Sequence, residues 1–212
     1  MSPPAATIAA RPSRRARAIR RRRIRAATLV AVALVAVGIV AAMPLFRKAI
    51  NDLTLPLAYS NVIRQQAAEK HLDPALVAAV IYAETKFDAR PSAAGAEGLM
   101  QILPRTAEFL AHRSGATTFA VSDLGTPQIN IAYGTYYLRY LLNEYGGALV
   151  PALAAYNGGE TNVNRWIAQQ RSEGRQLSIS EIPFPETRAY VQRVLSAQQD
   201  YRHTYASQLG YG

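Results

Sequence analysis

The sequence predicts an all-α domain over residues 57–207, preceded by a single N-terminal apolar helix. Three observations carry this. Apolar residues recur at helical spacing through almost every segment after Leu57, no run of alternating polar and apolar residues is long enough for a strand, and prolines stand where helices should start. Upstream, Ala26–Phe46 holds 21 residues without a charge, which at 1.5 Å per residue is roughly 30 Å of helix, the thickness of a hydrocarbon core.

The elements follow in order. Residues 1–25 form a basic tail, ending in RPSRRARAIRRRRIR (Arg11–Arg25). Under the positive-inside rule this flank stays cytoplasmic, residues 26–46 span the inner membrane once as a signal anchor, and residues after Arg47 lie outside. A cleaved signal peptide would have an apolar region of about 7–15 residues closed by a small-x-small site. The run here is longer, and Met43-Pro44 interrupts its small residues. Residues 47–56 read as a juxtamembrane linker. Leu57–His71 is amphipathic. Asp73 caps the next helix with Pro74 at its first position, and PALVAAVIYAET follows. A glycine-punctuated loop, Ser92–Gly98, leads to a helix starting at Pro104. Thr126-Pro127 repeats the cap-plus-proline signal before QINIAYGTYYLRYLLNEY, and Gly146-Gly147 stops it. VPALAAY ends at Asn157-Gly158-Gly159, Val163–Gln169 is helical, and Thr187–Tyr205 closes the domain.

Composition excludes several function classes. With no cysteine there is no disulfide framework, no thiol nucleophile and no Cys-based zinc site, and His71, His112 and His203 lack metal-ligand spacing. No metal or other cofactor is expected. The net charge of +10 suggests nucleic acid until it is located: residues 1–50 hold eleven of the 24 basic groups and no acid, whereas the remaining 13 face all 14 acids. The folded part is thus near neutral, and a nucleic-acid partner is not expected. The tail suits anionic lipid headgroups.

One acid is out of place. Val77, Val80 and Ile81 share a face of the PALVAAVIYAET helix, and Glu84, at +7, +4 and +3 from them, projects from that same stripe. Burying an ionised carboxylate there is costly. Glu84 therefore reads either as a frayed end in solvent, with the helix stopping at Ala83, or as a carboxyl whose pKa an apolar pocket raises, poised as a general acid. The GAEGLMQILPRTA segment (Gly95–Ala107) favours the second. Its glycines suit a loop lining a cleft, and Gln101 can both donate and accept hydrogen bonds, as an acetamido sugar requires. AAYNGGETNV places Tyr156 and Asn157 at a helix end before a Gly-Gly turn.

Together, DPALVAAVIYAETKF, GAEGLMQILPRTA, NIAYGTYYLRYLL, ALAAYNGGETNVNRW and IPFPETRAYVQRVL resemble, in family order over Tyr59–Tyr205, the soluble lytic transglycosylases of the lysozyme-like superfamily. The resemblance implies an all-α lysozyme-like transglycosylase domain. It also implies a partner, the peptidoglycan glycan strand, cut between N-acetylmuramic acid and N-acetylglucosamine to leave a 1,6-anhydromuramoyl end. No cell-wall synthesis or divisome partner is named by it. Position by position, Glu84 matches the family's catalytic glutamate, Met100 and Gln101 its cleft-lining Met-Gln pair, and Tyr156 with Asn157 its Ala-Tyr-Asn motif. Glu186 and Tyr190 match the Glu-Thr-Arg-x-Tyr segment bordering the cleft, and Ser92 a serine that touches the substrate's acetamido group. There are departures. Thr85 replaces the usual serine after the catalytic glutamate, Gly158 the usual alanine, and Thr126 an acid before the Asn-Ile motif. The segment from Glu84 to Gly95 is one residue shorter than the common pattern.

Glycosidases ordinarily use two carboxylates. Here Asp88 and Glu97 read as solvated loop residues, so the expectation is a single acid, Glu84, with the substrate's own acetamido group as nucleophile. The rival readings are a hydrolytic muramidase on the same fold and a catalytically idle, membrane-tethered glycan-binding module.

Overall fold

The structure, a computed structural model, describes residues 55–211 and, upstream, residues 37–39 and 43. The chain divides after residue 53 into two compact units. Of the upstream unit the four described residues are helical, and Val37, Ile39 and Met43 are exposed. Most of the apolar run 26–46, the tail 1–25 and most of the linker 47–56 lie outside the described residues. Among the described residues no helix is long and apolar enough to cross a membrane.

The downstream unit is helical, with no strand among the described residues beyond one isolated antiparallel bridge between Glu97 and Ile102. Helix α1 (Ser60–Glu69) is followed by α2 (Pro74–Thr85), α3 (Pro104–Ser114), a 3-10 turn (Val121–Gly125), α4 (Pro127–Glu144), α5 (Leu149–Gly158) and α6 (Glu160–Ser172). A second 3-10 turn (Ile179–Glu181), α7 (Pro185–Thr204) and the short α8 (Ala206–Leu209) complete it.

Prolines at N1 set three of these starts as the sequence implies, because the missing N–H is one the first turn leaves unpaired anyway. Asp73 caps α2 by accepting from the Ala75 N–H at 3.0 Å. Thr126 differs from expectation. It occupies the N-cap of α4, but its hydroxyl makes no capping bond, and its N–H closes the preceding 3-10 turn on the Asp123 carbonyl at 2.9 Å. Helix α1 starts at Ser60, three residues later than the amphipathic pattern suggests. The preceding carbonyls are taken by tyrosines at and just beyond the end of α7: the Tyr205 hydroxyl donates to Leu55 O at 2.6 Å and the Tyr201 hydroxyl to Pro56 O. At the other end the Tyr211 hydroxyl donates to Asp73, so the folded unit uses residues on both sides of 57–207.

Two helices make the interior. Every residue from Ala75 to Ile81 of α2 is buried, as is every residue from Pro151 to Ala155 of α5. Each is apolar around its whole circumference, the pattern of a helix inside a core rather than on its surface. Ala75, Ala78 and Ala79 let neighbours approach α2 closely, and α7 packs along it most extensively, with Tyr82 meeting Tyr201 edge-on at 6.1 Å. The last turn of α2, which carries Glu84, is thereby held between α7 and the loop that follows.

Candidate active site

Helix α2 runs through Glu84 to Thr85, so the acid sits in the last turn and not in a frayed end. The chain then breaks hard. Lys86 (φ 52°) and Phe87 (φ 63°) are both left-handed, although neither is glycine. Such backbone costs about 1–2 kcal/mol per residue and survives only where surroundings enforce it. Phe87 packs on Tyr201 at 6.2 Å, and the Lys86 N–H still reaches the Tyr82 carbonyl at 3.0 Å.

The loop from Ser92 to Leu103 folds over this turn. Thr85 Oγ1 donates to Leu99 O at 2.8 Å and approaches Ile81 O at 3.2 Å, so the hydroxyl at this position stitches the loop to the acid's own helix. Asn130 of α4, fully buried, holds the loop from below. Its Oδ1 accepts from the Met100 N–H (2.8 Å), and its Nδ2 donates to Glu97 O (2.9 Å) and Leu124 O (3.1 Å). Gly98, at φ 72°, lies directly on that amide, and a Cβ there would collide with it. Gly134 of α4 is likewise pressed against the Met100 side chain.

The Glu84 carboxyl is half-buried, and its pKa is raised from 4.5 to about 7. Burial is the main cause. The Tyr190 hydroxyl and then the Arg193 guanidinium, both on α7, pull the other way. Tyr156, at the end of α5, also lies within electrostatic reach, and the buried phenols of Tyr156 and Tyr190 are both pushed well above their ordinary value by burial and then by Glu84.

The remaining candidates fall at different depths. Met100 is fully buried. Its carbonyl accepts from the Tyr156 hydroxyl at 2.8 Å, so it forms the floor of the site through packing and main chain instead of presenting its side chain to the surface. Gln101, left-handed at φ 49°, donates from Nε2 to both Arg90 O (2.8 Å) and Gly98 O (2.9 Å). With both amide hydrogens committed to the main chain, only its oxygen is left to serve a ligand, as an acceptor. Ser92 Oγ accepts from the Ala96 N–H at 2.9 Å and closes the start of the loop. Asn157 is exposed, with Oδ1 taking the Thr187 hydroxyl at 2.8 Å. It lines a cavity of about 410 Å³ together with Gly158, Phe184, Pro185, Glu186 and Thr187. Tyr190 is 3 % exposed and faces Glu84 from α7. Asp88 is exposed and pairs with exposed Arg90 at 3.2 Å. Glu97 belongs to the loop through its main chain, which exchanges two hydrogen bonds with Ile102.

Asn130 and Arg193 were not singled out from the sequence. An asparagine inside an apolar helical face was the available signal for the first; Arg193 lies three residues after Tyr190 on the same face of α7, which only the packing of α7 on α2 makes relevant.

The sequence and the fold match known proteins. Residues 61–179 fit the model of the transglycosylase SLT domain. The chain belongs to that family. The soluble lytic murein transglycosylase of Salmonella typhimurium is 33% identical over 151 residues, covering 70% of this chain and 23% of that protein. Membrane-bound lytic murein transglycosylase C of Cronobacter sakazakii is 32% identical over 166 residues, 68% of this chain and 46% of its own length. Among solved structures, an inactive mutant of the lytic transglycosylase Slt from Pseudomonas aeruginosa superposes with a TM-score of 0.67 at 32% identity, covering 74% of this chain and 26% of that one. The SLT chain described here thus spans about a quarter of the soluble relatives, and its helical unit has the lysozyme-like transglycosylase fold.

Proposed function

We propose that this SLT-family chain is a peptidoglycan lytic transglycosylase, cleaving the MurNAc-β-1,4-GlcNAc bond without water and with Glu84 as sole acid and base. The observation that carries the reading is the Glu84 carboxyl itself: in the last turn of a buried helix, under a loop fastened by Thr85 and Asn130, with a pKa of about 7. A carboxyl so placed keeps its proton on about half the molecules at neutrality, where an ordinary glutamate would be almost wholly ionised, and so can serve as a general acid.

The atoms balance without a second carboxylate. Neutral Glu84 gives its proton to the glycosidic oxygen as the C1–O bond breaks. The acetamido oxygen of the same muramoyl unit bonds to C1 from the other face. Carboxylate Glu84 then takes the proton from the C6 hydroxyl, O6 bonds to C1, the acetamido oxygen leaves, and neutral Glu84 is restored. Tyr156, already donating to Met100, has an oxygen free to accept, as does Gln101. Both therefore suit the N–H of an acetamido group better than its carbonyl. Asn157 and Glu186, beside the 410 Å³ cavity, are placed to meet a sugar farther along the strand, and Ser92 to shape the loop that faces it.

We also propose the membrane topology: a cytoplasmic tail (1–25), a span (26–46), a short linker (47–56) and an extracytoplasmic catalytic domain (57–207). Support comes from the 21 uncharged residues after an arginine-rich flank. Release of the chain from the membrane fraction by salt alone would contradict it.

The test of activity is mass spectrometry of peptidoglycan digested by the chain and by its Glu84→Gln variant. Products one water lighter than hydrolytic muropeptides, absent with Glu84→Gln, are expected. Reducing-end products dependent on Glu84 would instead mark a muramidase, and bound but uncut glycan an idle module.

A further inference from the structure

Helix α3 buries Ala107, Leu110 and Ala111 and turns Arg105, Phe109 and Arg113, spaced at i, i+4 and i+8, toward solvent. A phenylalanine between two arginines is out of place on the outer face of a helix, and Phe109 is 44 % exposed. It stands at the end of a row of rings. Phe109 meets Tyr140 of α4 edge-on at 5.4 Å, Tyr140 lies nearly parallel to Tyr137 at 6.2 Å, and Tyr137 meets Tyr156 at 5.2 Å. Tyr156 is in turn within electrostatic reach of Glu84. The row therefore leads from the acid to the surface beside α3, whereas Asn157, next to Tyr156, leads into the cavity at the start of α7.

The polar groups along the row carry both signs. Arg113 lies over the Tyr140 ring, its Cζ 5.1 Å from the centroid, and Arg105 acts on the Tyr137 phenol. Against them, Glu160 accepts from the Tyr140 hydroxyl at 3.0 Å, and Glu144 acts on the same phenol. Arginines supply donors and carboxylates supply acceptors beside the ring that Phe109 offers. Such a balance gives no hold on a polyanion, which requires an excess of positive charge. It suits an uncharged ligand with an apolar face and a rim of hydroxyl and amide groups. That is the chemistry of an N-acetylated pyranose, whose C–H face covers an aromatic ring while its rim meets the arginines and glutamates.

Resting on the reading of this chain as a glycan-cleaving enzyme, we propose that Phe109, with Tyr140 and Arg113, forms a remote subsite where a sugar of the strand beyond the cleaved bond packs on the Phe109 ring. A polymer bound across Glu84 continues past it, and the row of rings marks the course it takes. The subsite touches no reacting atom. Its contacts are the same before and during bond cleavage, so it favours long strands through KM and leaves kcat alone.

The test uses the full chain carrying Glu84→Gln, titrated calorimetrically with N-acetylglucosamine trimer and hexamer. The hexamer should bind more tightly than the trimer, and Phe109→Ala in that background should weaken the hexamer about tenfold while leaving the trimer within about twofold. Phe109→Trp, which keeps a ring, should retain the hexamer affinity. Melting temperatures should stay at the parent value, since the ring is exposed. Equal hexamer affinity with phenylalanine and with alanine overturns the proposal, as does an equal loss for both lengths or no binding of either. Self-association of the parent that Phe109→Ala abolishes, with glycan affinity intact, would instead make the patch a contact between copies of the chain and also overturns it. The titration needs no turnover. Failure of the parent chain to release anhydro ends from peptidoglycan would count against the catalytic reading, while the hexamer and trimer affinities still decide the subsite.

Discussion

The Tyr156 hydroxyl donates to the main-chain oxygen of Met100 at 2.8 Å, joining the end of α5 to the loop that covers Glu84. The bond links two motifs far apart in sequence, and it leaves the tyrosine's oxygen able to accept. Tyr156→Phe keeps the ring and its contact with Tyr137 at 5.2 Å but releases the Met100 carbonyl. The expected loss of stability is about 1 kcal/mol. Activity should suffer more, because small displacements of positioning groups are costly: a fall in kcat/KM of roughly 10–100-fold is expected from steady-state kinetics on peptidoglycan fragments.

Asn130 carries a heavier structural duty. Replacing it with alanine leaves the Met100 N–H and the Leu124 carbonyl without their partner and the Glu97 carbonyl with only the Ile102 N–H, at a fully buried position. Asn130→Ala should lower unfolding free energy by on the order of 3 kcal/mol in denaturant titration. Asn130→Asp keeps the acceptor for Met100 but sets a buried carboxylate against the Glu97 and Leu124 carbonyls, and at neutral pH should cost at least as much as alanine. A denaturation midpoint for Asn130→Ala equal to the parent's would refute the idea that this side chain holds the loop.

Much of this was readable in advance, and the reasons divide cleanly. The starts at Pro74, Pro104 and Pro127 have local causes, a fixed φ and a missing N–H, so they show in a window of a few residues. Glu84 stood out because helical periodicity put it on the stripe of Val77, Val80 and Ile81. What escaped was set by distant packing. Lys86 and Phe87 adopt left-handed backbone with no glycine to announce it, because α7 fixes the ring of Phe87. Met100, matched to a cleft-lining residue, is drawn under by its fit to Gly134, and Tyr190 is buried because α7 lies along α2. The reach of Tyr201 and Tyr205 back to Pro56 and Leu55 spans nearly the whole domain and has no local signature.

Thr85 offers a graded test of the loop's attachment. Its hydroxyl, one residue from the acid, bonds Leu99 O at 2.8 Å. Thr85→Ser preserves the donor and should retain most activity. Thr85→Val, similar in shape, buries the Leu99 carbonyl without its partner and should lose about 1–2 kcal/mol of stability, with kcat/KM falling more than for serine. Equal kinetics for the two variants would mean the hydroxyl does not matter to the site.

The perturbed acid also leaves a mark on stability that needs no substrate. Glu84 has a folded-state pKa of about 7 against an ordinary 4.5, so the folded chain binds this proton more tightly than the unfolded one. Its contribution to stability is therefore complete below about pH 4.5 and is lost as pH rises through 7. A gap of this size corresponds to on the order of 3 kcal/mol between the two limits. Glu84→Gln cannot ionise and should escape the loss. Its stability relative to the parent should rise by up to that amount between pH 4 and pH 8.5, the rise centred between the two pKa values, when unfolding is followed by circular dichroism across the range. A difference independent of pH would mean that the fold does not hold Glu84 protonated, and the single-acid mechanism would lose its physical basis.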